Sequence, residues 1–306
     1  MRAYVTGGHG FVGTWLLAHL SAAGDEVVAP RMADVDVTDP VAVFESVSAA
    51  RPDAVYHLGG LAHVGRSWDA PDRYFRVNAL GTLHVLEAAR RCSPPPRVLV
   101  VSSAEVYGAV RPDQLPVGED APMLPRSPYA ASKAAAELLA VQAHLGHGVP
   151  VIRARPFNHV GPGQAPGFVV AALARRVVEA ARDGRTTLAV GNLTARRDFT
   201  DVRDVVRAYR LLVELARPGQ AYNVCSGEDV SIEGILRRLL DLAGARLEPE
   251  PDPRLMRPVD VPVLRGDPAR LRAATGWAPE VPLDGTLRAV LDEARAAPVH
   301  PADARK

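Results

Sequence analysis

The sequence contains little cysteine, almost no excess charge and no long apolar run. Its two cysteines, Cys92 and Cys225, match no metal-ligand spacing and are too few for a disulfide framework. Lys plus Arg number 36 and Asp plus Glu 35, so the net charge of +1 gives no basis for binding nucleic acid or a membrane surface. No apolar run approaches the roughly 18 residues of a membrane span, and the chain begins directly with a predicted strand. We therefore expect a cytoplasmic protein that binds neither nucleic acid nor membrane.

The first 155 residues instead alternate short β-rich runs with longer helical patterns. Strands are predicted at residues 4–6, 26–28, 34–37, 54–58, 97–101 and 150–154, and helices at 11–23 and 131–145. This alternation predicts an α/β fold, a Rossmann-type doubly wound parallel sheet with helices on both faces. Proline and glycine then cluster after about residue 155. We expect a Rossmann domain at 1–155 and a smaller C-terminal α/β lobe at 156–306, with a segment near 185–227 returning to the main sheet.

A glycine-rich loop, GGHGFVG at residues 7–13, directly follows the first predicted strand. Its glycines, Gly7, Gly10 and Gly13, suit a tight turn in which the backbone approaches a pyrophosphate closely. The helix that follows, starting with Phe11 and Val12, would point its N-terminal amides at that pyrophosphate. Because the loop lies between a strand and a helix, it predicts a dinucleotide-binding site.

The end of the second strand indicates which dinucleotide binds. Ala29, Pro30 and Arg31 stand where a carboxylate would otherwise bind the adenosine ribose. Arg31 would suit a 2′-phosphate, so NADP(H) is favoured and NAD(H) remains possible; the alternative for Arg31 is a solvated loop charge. Asp36 and Val37 close the predicted third strand and could contact adenine, or Asp36 could cap a loop.

A possible catalytic group consists of a tyrosine, a lysine and a serine. Tyr129 and Lys133 lie four residues apart at the start of a helix, so their side chains share one face. A neighbouring ammonium is expected to lower the tyrosine pKa from its usual value of about 10. Tyr129 could then exchange a proton with a sugar oxygen while a nicotinamide handles hydride. Ser102 and Ser103 close the predicted fifth strand, at the edge where such sheets bind ligands.

With these residues assembled, the chain resembles the extended short-chain dehydrogenase/reductases that modify nucleotide-sugars. The motifs that carry the resemblance are GGHGFVG (7–13), YHLGG (56–60), RVNALGT (76–82), SSAEVYG (102–108), SPYAASK (127–133), RPFNHVGPG (155–163), RRDFTDVRD (196–204) and RPVDVP (257–262). Within that group, the stretches at 155–168 and 190–212 are most similar to the GDP-4-keto-6-deoxy-D-mannose reductases. The resemblance implies a reduction of the C4 ketone of the nucleotide-sugar.

The resemblance also implies which residues form the site. Ser103, Tyr129 and Lys133 would form the catalytic triad. The implied cofactor-binding residues, besides the glycine loop, Arg31, Asp36, Val37 and the triad, are Leu58, Gly59, Gly60, Asn78 and Pro156. The family more often has alanine at positions 59 and 60.

The implied substrate is a nucleotide-diphosphate sugar. Asn158, Arg197 and Arg257 would hold its diphosphate region, since a guanidinium makes forked bonds to phosphate oxygens. Further substrate contacts in this interpretation are Ser103, His159, Val169 and Asp260. For His159 the alternative is a structural loop residue, and for Asp260 a turn cap.

Two adjacent positions bear on the reaction type. Glu105 stands where dehydratases and sugar-acid decarboxylases of this group also have glutamate, which in dehydratases removes the C5 proton. The reductases are similar at this position, so Glu105 is a catalytic candidate that does not distinguish the reactions. Dehydratases place an acid or a hydroxyl at the position of Ala104, and alanine cannot donate a proton.

We therefore expect a 4-ketoreductase. The alternatives are a redox-neutral 4-epimerase, decarboxylase or 4,6-dehydratase with tightly bound NAD, and a non-catalytic cofactor-binding protein on the same fold. The resemblance further implies a homodimer with a four-helix interface, formed by helices near 73–91 and 129–145 of each chain. His57 and His63 are interpreted as packing or capping residues, and no histidine–carboxylate spacing indicates a metal.

Overall fold

The computed structural model describes residues 1–256 and 261–297. The strands are β1 (Arg2–Thr6), β2 (Glu26–Val28), β3 (Ala54–His57), β4 (Arg97–Val101), β5 (Val151–Pro156), β6 (Asn158–Val160), β7 (Thr187–Val190), β8 (Arg196–Asp201), β9 (Ala221–Val224), β10 (Asp229–Ser231), β11 (Glu248–Pro251) and β12 (Val263–Leu264). The helices are α1 (Phe11–Ala22), α2 (Pro40–Ala50), α3 (Pro71–Tyr74), α4 (Gly81–Arg90), α5 (Pro128–His147), α6 (Val169–Arg182), α7 (Val202–Leu215), α8 (Ile232–Ala243), α9 (Ala269–Thr275) and α10 (Leu283–Ala296).

The main sheet has six parallel strands in the order β2-β1-β3-β4-β5-β9. Residues of β1 alternate between its faces, as expected of a pleated strand. Ala3 and Val5 pack in a buried cluster with residues of α1 and α7. Tyr4 packs in another with residues of α2, α4 and α5. The predicted doubly wound parallel sheet is therefore confirmed.

The strand predicted at residues 34–37 is wrong. The backbone N–H groups of Asp34 and Val35 both donate to the carbonyl of Arg31 at 2.9 Å. The Oδ1 of Asp36 accepts hydrogen bonds from the N–H of Thr38 at 2.8 Å and from its hydroxyl at 2.9 Å. An aspartate that bonds its own loop offers the backbone an alternative to a strand ladder. The third strand is therefore β3, and Ser102 follows the fourth strand.

A second lobe lies beside the main sheet. It contains the strand group β10-β8-β12, with β6 also paired to β8, and the pair β11-β7. Helices α6, α8 and α10 cover it through a buried cluster that includes Leu173, Ile235 and Leu287. Strand β9 belongs to the main sheet, beside β5. The domain boundary after residue 155 stays a prediction.

The stretch from Pro71 to Arg90 is a composite rather than one regular helix. A π-helical segment, Phe75–Leu80, joins α3 to α4. π-helical turns inside helices occur often at functional sites. This one contains Asn78, which is buried. Among the described residues, no helix has both the length and the apolar character that crossing a membrane would require.

Candidate active site

A cleft of about 540 Å³ runs from the glycine loop to the N-terminal turns of α5. It lies where β1, β3, β4 and β5 end, the edge at which open parallel sheets bind ligands. The predicted site residues that line it are Gly7, Gly10, Phe11, Val12, Gly13, Leu58, Gly60, Ser103, Glu105, Tyr129, Lys133, Pro156, Asn158, His159 and Val169. One continuous cleft thus brings together predicted residues from both halves of the chain.

The glycine loop leaves no space for a side chain at Gly7 or Gly13. Gly7 has a φ of +70°, in the left-handed region that favours glycine. The N–H of Gly10 donates to the carbonyl of Gly7 at 3.1 Å, which closes the turn. A Cβ on Gly13 would lie 2.2 Å from that same carbonyl oxygen. Helix α1 begins within this stretch, at Phe11, without a side-chain cap. This close backbone approach and the uncapped amides fit the pyrophosphate of a dinucleotide.

The segment after β3 forms the next part of the wall. Leu58 and Gly60 line the cleft. Gly59 does not, and its N–H donates to the hydroxyl of Thr6 at 3.0 Å. Asn78 lies behind the segment: its Oδ1 accepts from the N–H of Leu61 at 2.7 Å, and its Nδ2 donates to the carbonyl of Leu61 at 3.1 Å. Asn78 therefore supports the cleft without lining it.

The triad residues meet where α5 packs against the carboxyl end of β4. Lys133 Nζ donates to the carbonyl of Val101 at 2.8 Å. Tyr129, one helical turn earlier, lies close enough to Ser103 for that side chain to lower the Tyr129 pKa. The Tyr129 ring also packs edge-on against Tyr74, with ring centres 6.3 Å apart. Ser127 caps α5 by accepting from the N–H of Ala130 at 3.1 Å. Tyr129 and Lys133 therefore both lie in the capped N-terminal part of the helix.

The electrostatics of the triad differ from the expectation drawn from the sequence. Burial raises the pKa of Tyr129 to about 12, and the charge of Glu105 adds to this rise. The side chain of Ser103 opposes this rise in the Tyr129 pKa but does not cancel it. Burial also lowers the pKa of Lys133 to about 8. The expectation that Lys133 lowers the tyrosine pKa is therefore corrected: burial dominates, and Tyr129 is a protonated phenol at neutral pH.

Ser103 begins a short 3₁₀ helix, Ala104–Tyr107. Its hydroxyl oxygen accepts from the N–H of Glu105 at 3.2 Å, which fixes the side chain beside Tyr129. Ala104 and Glu105 both line the cleft. Dehydratases of the family that the sequence resembles have a proton donor at the position of Ala104. In this chain the same position carries only a buried methyl group.

The far wall comes from β6 and α6. Asn158 and His159 lie on β6, and Val169 is the first residue of α6. The ring of His159 stacks on Phe11, with centres 6.0 Å apart and 15° between the planes. Burial lowers the pKa of His159, which keeps its ring neutral. This stacking joins the glycine-loop helix to the second lobe.

Several predicted residues lie away from the cleft. Arg31 is exposed, and its side chain makes no hydrogen bond or ion pair within residues 1–256 and 261–297. Asp36 caps its own loop, and the side chain of Val37 packs against Gly59 and Gly81. Arg197 is buried and donates to the carbonyl of Val261 at 2.6 Å. The predicted residues Arg257 and Asp260 lie outside the described residues.

Sequence reasoning missed part of the lining. The missed residues include His63, Val64, Gln164, Phe168, Phe199 and Tyr209. His63 does cap a turn, since its Nδ1 accepts from the N–H of Arg66 at 3.2 Å, but its ring also borders the cleft near Phe168. The available signal for His63 was its position just after YHLGG, at the carboxyl end of a strand. For Tyr209, on α7, no local signal existed. Among the described residues no group of three metal-ligating side chains occurs.

Comparison with known proteins finds a matching family, a similar sequence and similar solved structures. Residues 29–290 match the family described as GDP-mannose 4,6 dehydratase. A Pseudomonas aeruginosa protein named GDP-6-deoxy-D-mannose reductase is 40% identical over 294 residues, covering 95% of this chain and 96% of that protein. The solved structure of RMD from Pseudomonas aeruginosa complexed with NADPH has a TM-score of 0.88 and 40% identity, covering 96% of this chain and 99% of that one. The Thermus thermophilus UDP-glucose 4-epimerase complex with NAD has a TM-score of 0.86 and 31% identity, covering 97% and 100%.

Proposed function

This chain belongs to the GDP-mannose 4,6 dehydratase family, within the extended short-chain dehydrogenase/reductases, and from that premise we propose that it is an NADPH-dependent nucleotide-sugar 4-ketoreductase. The proposed substrate is GDP-4-keto-6-deoxy-D-mannose, whose C4 ketone becomes a hydroxyl. The 40% identity to a protein named GDP-6-deoxy-D-mannose reductase supports this substrate. The similar structure that contains NADPH supports the cofactor.

The chain's residues have separate roles in this reaction. NADPH, when bound, supplies a hydride to C4. The hydroxyl of Ser103 stabilises the negative charge that develops on the C4 oxygen, and this interaction is stronger in the transition state than in the ground state. Tyr129 gives its proton to that oxygen, so the ketone gains one hydride and one proton. Lys133 lies on the same face of α5 and lines the cleft, where its ammonium would bind the cofactor.

The observation that carries the proposal is that the cleft contains a protonated Tyr129 and, at position 104, an alanine. A phenol whose pKa is raised to about 12 is a proton donor at neutral pH, as a reduction requires. Ala104, buried beside Ser103, offers no proton for the loss of water from C6. Ala104 therefore favours net reduction over dehydration, and the protonated phenol of Tyr129 supplies the proton that the reduction consumes.

The proposed cofactor contacts extend along the cleft. The glycine loop, residues 7–13, would hold the pyrophosphate, and Leu58, Gly60 and Pro156 would line the path to the nicotinamide. Arg31 lies shortly after the end of β2, and its exposed side chain can pair there with a 2′-phosphate. Asn158, His159 and Val169 would contact the nucleotide-sugar. Arg197 would act on the substrate through the segment that follows residue 260, because its side chain donates to the carbonyl of Val261.

A redox-neutral enzyme with bound NAD is the second candidate. The observation that favours it is the carboxylate of Glu105, which lies in the cleft close enough to raise the pKa of Tyr129. Such a carboxylate is a potential base for C–H proton removal. The variant Glu105→Gln separates the two candidates: a 4-ketoreductase should keep its rate to within about tenfold, whereas a dehydratase should lose about 10²-fold or more.

The decisive experiment measures cofactor content and then turnover. The purified protein is denatured, and the released nucleotide is identified by its mass. NADPH absorbance is then followed after addition of GDP-4-keto-6-deoxy-D-mannose, with the Tyr129→Phe variant as control. We expect one NADPH to be oxidised for each ketone consumed. Bound NAD with no consumption of added cofactor would instead support the redox-neutral candidate, tested with GDP-mannose and UDP-glucose.

We also propose a cytoplasmic homodimer. Both cysteines are free thiols, which suits a reducing compartment. Leu138 and Leu145 on α5 are 57% and 78% exposed, and Phe75 and Leu80 beside α4 are 40% and 47% exposed. Apolar side chains clustered on neighbouring helices are typical of an interface. Light scattering should give twice the chain mass of 32.6 kDa, and Leu138→Glu should give the monomer.

A further inference from the structure

His57 lies at the end of β3, where it is buried and bonded through both ring nitrogens. Its Nδ1 lies 2.7 Å from the hydroxyl of Thr6, on β1. Its Nε2 lies 3.0 Å from the hydroxyl of Thr82, on α4. The imidazole thus joins the first strand of the main sheet to a helix that covers it.

The directions of these bonds follow from the partners of the two hydroxyls. Thr82 has one hydroxyl proton, which it donates to the carbonyl of Asn78 at 2.6 Å. Its oxygen must therefore accept from His57, so Nε2 carries the proton. The Thr6 oxygen accepts from the N–H of Gly59 at 3.0 Å, and its own proton points to the bare Nδ1. The chain of bonds runs without conflict from Gly59 to Asn78.

Both ends of this chain hold the same short segment of the cleft wall. One end fixes the N–H of Gly59. The other fixes Asn78, whose side chain holds both the N–H and the carbonyl of Leu61. Asn78 also donates to the hydroxyl of Ser132 at 2.9 Å, next to Lys133 in α5.

Between these two anchors stands Gly60, which lines the cleft. A Cβ added there would lie 2.9 Å from Asn78 Oδ1 and 3.4 Å from Lys133 Nζ. Any side chain at this position would therefore crowd Asn78 and approach the catalytic lysine. A small movement of the segment would change the space between Gly60 and Lys133.

We infer that His57, as its Nε2–H tautomer, is a positioning residue for the nicotinamide half of the dinucleotide, through a Thr6–His57–Thr82 relay that sets the Gly59–Leu61 wall against Lys133. This inference rests on the proposed function, because it assumes that NADPH is the ligand of the cleft. The relay touches neither the cofactor nor the substrate. Its expected effect is on the affinity of the cleft for NADPH, because a displaced wall fits the ligand less well.

The protonation state of His57, and with it the hydrogen bonds of the relay, does not change near neutral pH. Burial lowers the pKa of His57 to about 3, and the neighbouring ammonium of Lys133 adds to this effect. The ring therefore remains neutral over the range in which the protein would work. A neutral imidazole has one donor and one acceptor, which is the pair that the two threonines require.

The test compares Thr82→Val, which removes the hydroxyl at almost constant volume, with Thr82→Ser, which keeps it. Val85→Ala serves as the matched control, since Val85 is fully buried in the same helix and outside the relay. NADPH dissociation constants are measured by fluorescence well below every unfolding midpoint. Loss of one buried hydrogen bond should weaken binding about tenfold in Thr82→Val. Thr82→Ser should regain most of the affinity, and Val85→Ala should lose stability but little affinity.

Wild-type affinity in Thr82→Val, or an equal loss in Val85→Ala, would overturn the inference. Should Thr82→Val fail to fold, Thr6→Val and Thr6→Ser provide the same comparison at the other end of the relay. Nitrogen NMR of the imidazole, assigned with His57→Gln, gives an independent result. We expect an Nε2–H ring that does not titrate between about pH 5 and about pH 9, and an Nδ1–H ring would refute the relay. If the wild type bound no NADPH, the proposed function would fail, while the NMR result would still decide the relay.

Discussion

Lys133 Nζ donates a hydrogen bond of 2.8 Å to the carbonyl oxygen of Val101, the last residue of β4. Ser102 and Ser103 follow directly, so this bond ties α5 to the edge of the sheet where the cleft opens. Tyr129 lies one turn earlier on the same face of the helix and is thereby brought to Ser103. This contact between a helix and a strand end helps to set the relative positions of the three triad residues.

Replacing Tyr129 by phenylalanine should abolish turnover while cofactor binding persists. The phenyl ring can keep the edge-on contact with Tyr74, so only the hydroxyl is lost. Loss of the proton donor should lower kcat by about 10²- to 10⁴-fold. NADPH affinity, measured by fluorescence, should change by less than about threefold because the ring still fills its place. Substantial remaining turnover would mean that another group protonates the C4 oxygen.

Replacing Gly13 by alanine should abolish NADPH binding. The new Cβ would lie 2.2 Å from the carbonyl oxygen of Gly7, and backbone atoms cannot move aside without opening the turn. Gly285→Ala is the control, because nothing lies within 4 Å of its Cβ position and it stands inside α10. That control should bind NADPH normally and gain roughly 0.5–1 kcal/mol of stability. NADPH titration and urea unfolding of both variants check this, and tight binding by Gly13→Ala would show that the loop has another role.

Much of the main sheet could be predicted from the sequence because its signals are local. The glycine loop, the apolar strands and the pair of Tyr129 and Lys133 each occupy a short stretch, and the order of strands and helices then fixes the doubly wound topology. The loop at 34–37 failed for a local reason as well. Val35 and Val37 alternate with aspartates like a strand, but the bonds of Asp36 to Thr38 favour a turn.

The rest depends on contacts between distant parts of the chain. The raised pKa of Tyr129 follows from burial, which no residue spacing reveals. Tyr209 is about eighty residues after Tyr129 in the sequence. It borders the cleft because α7 packs on the main sheet. Arg197 resembles a phosphate ligand in sequence, yet its side chain is buried against the carbonyl of Val261. Such outcomes require the fold to be known first.

Replacing Arg31 by alanine should reduce the preference for NADPH over NADH. Its exposed guanidinium is available for the 2′-phosphate, and a charge-assisted hydrogen bond contributes about 1.5–3 kcal/mol. The dissociation constant for NADPH should rise about 10- to 100-fold while that for NADH stays nearly constant. Arg237→Ala, which breaks a surface pair with Glu233 on α8, is the matched control and should change neither. Equal weakening of both cofactors by Arg31→Ala would place the residue outside 2′-phosphate recognition.

The buried ammonium of Lys133 should make stability depend on pH. Its pKa is about 8 in the folded chain and 10.5 in the reference state, so the folded state loses the proton first as pH rises. Below about pH 8 both states are protonated and burial of the charge destabilises the fold in full. Between about pH 8 and 10.5 the unfolded state binds more protons, so stability should increase with pH, by up to about 3 kcal/mol.

The variant Lys133→Met isolates this effect, because methionine has a similar length and no charge to bury. Urea unfolding of both proteins at several values from about pH 7 to about pH 9.5 gives their difference in unfolding free energy. That difference should change in favour of the wild type above about pH 8, while effects of all other titrating groups largely cancel. A difference that stays constant would mean that Lys133 keeps its ordinary pKa. A lysine that is destabilising at neutral pH and yet retained in the cleft is expected where its charge acts on a bound ligand.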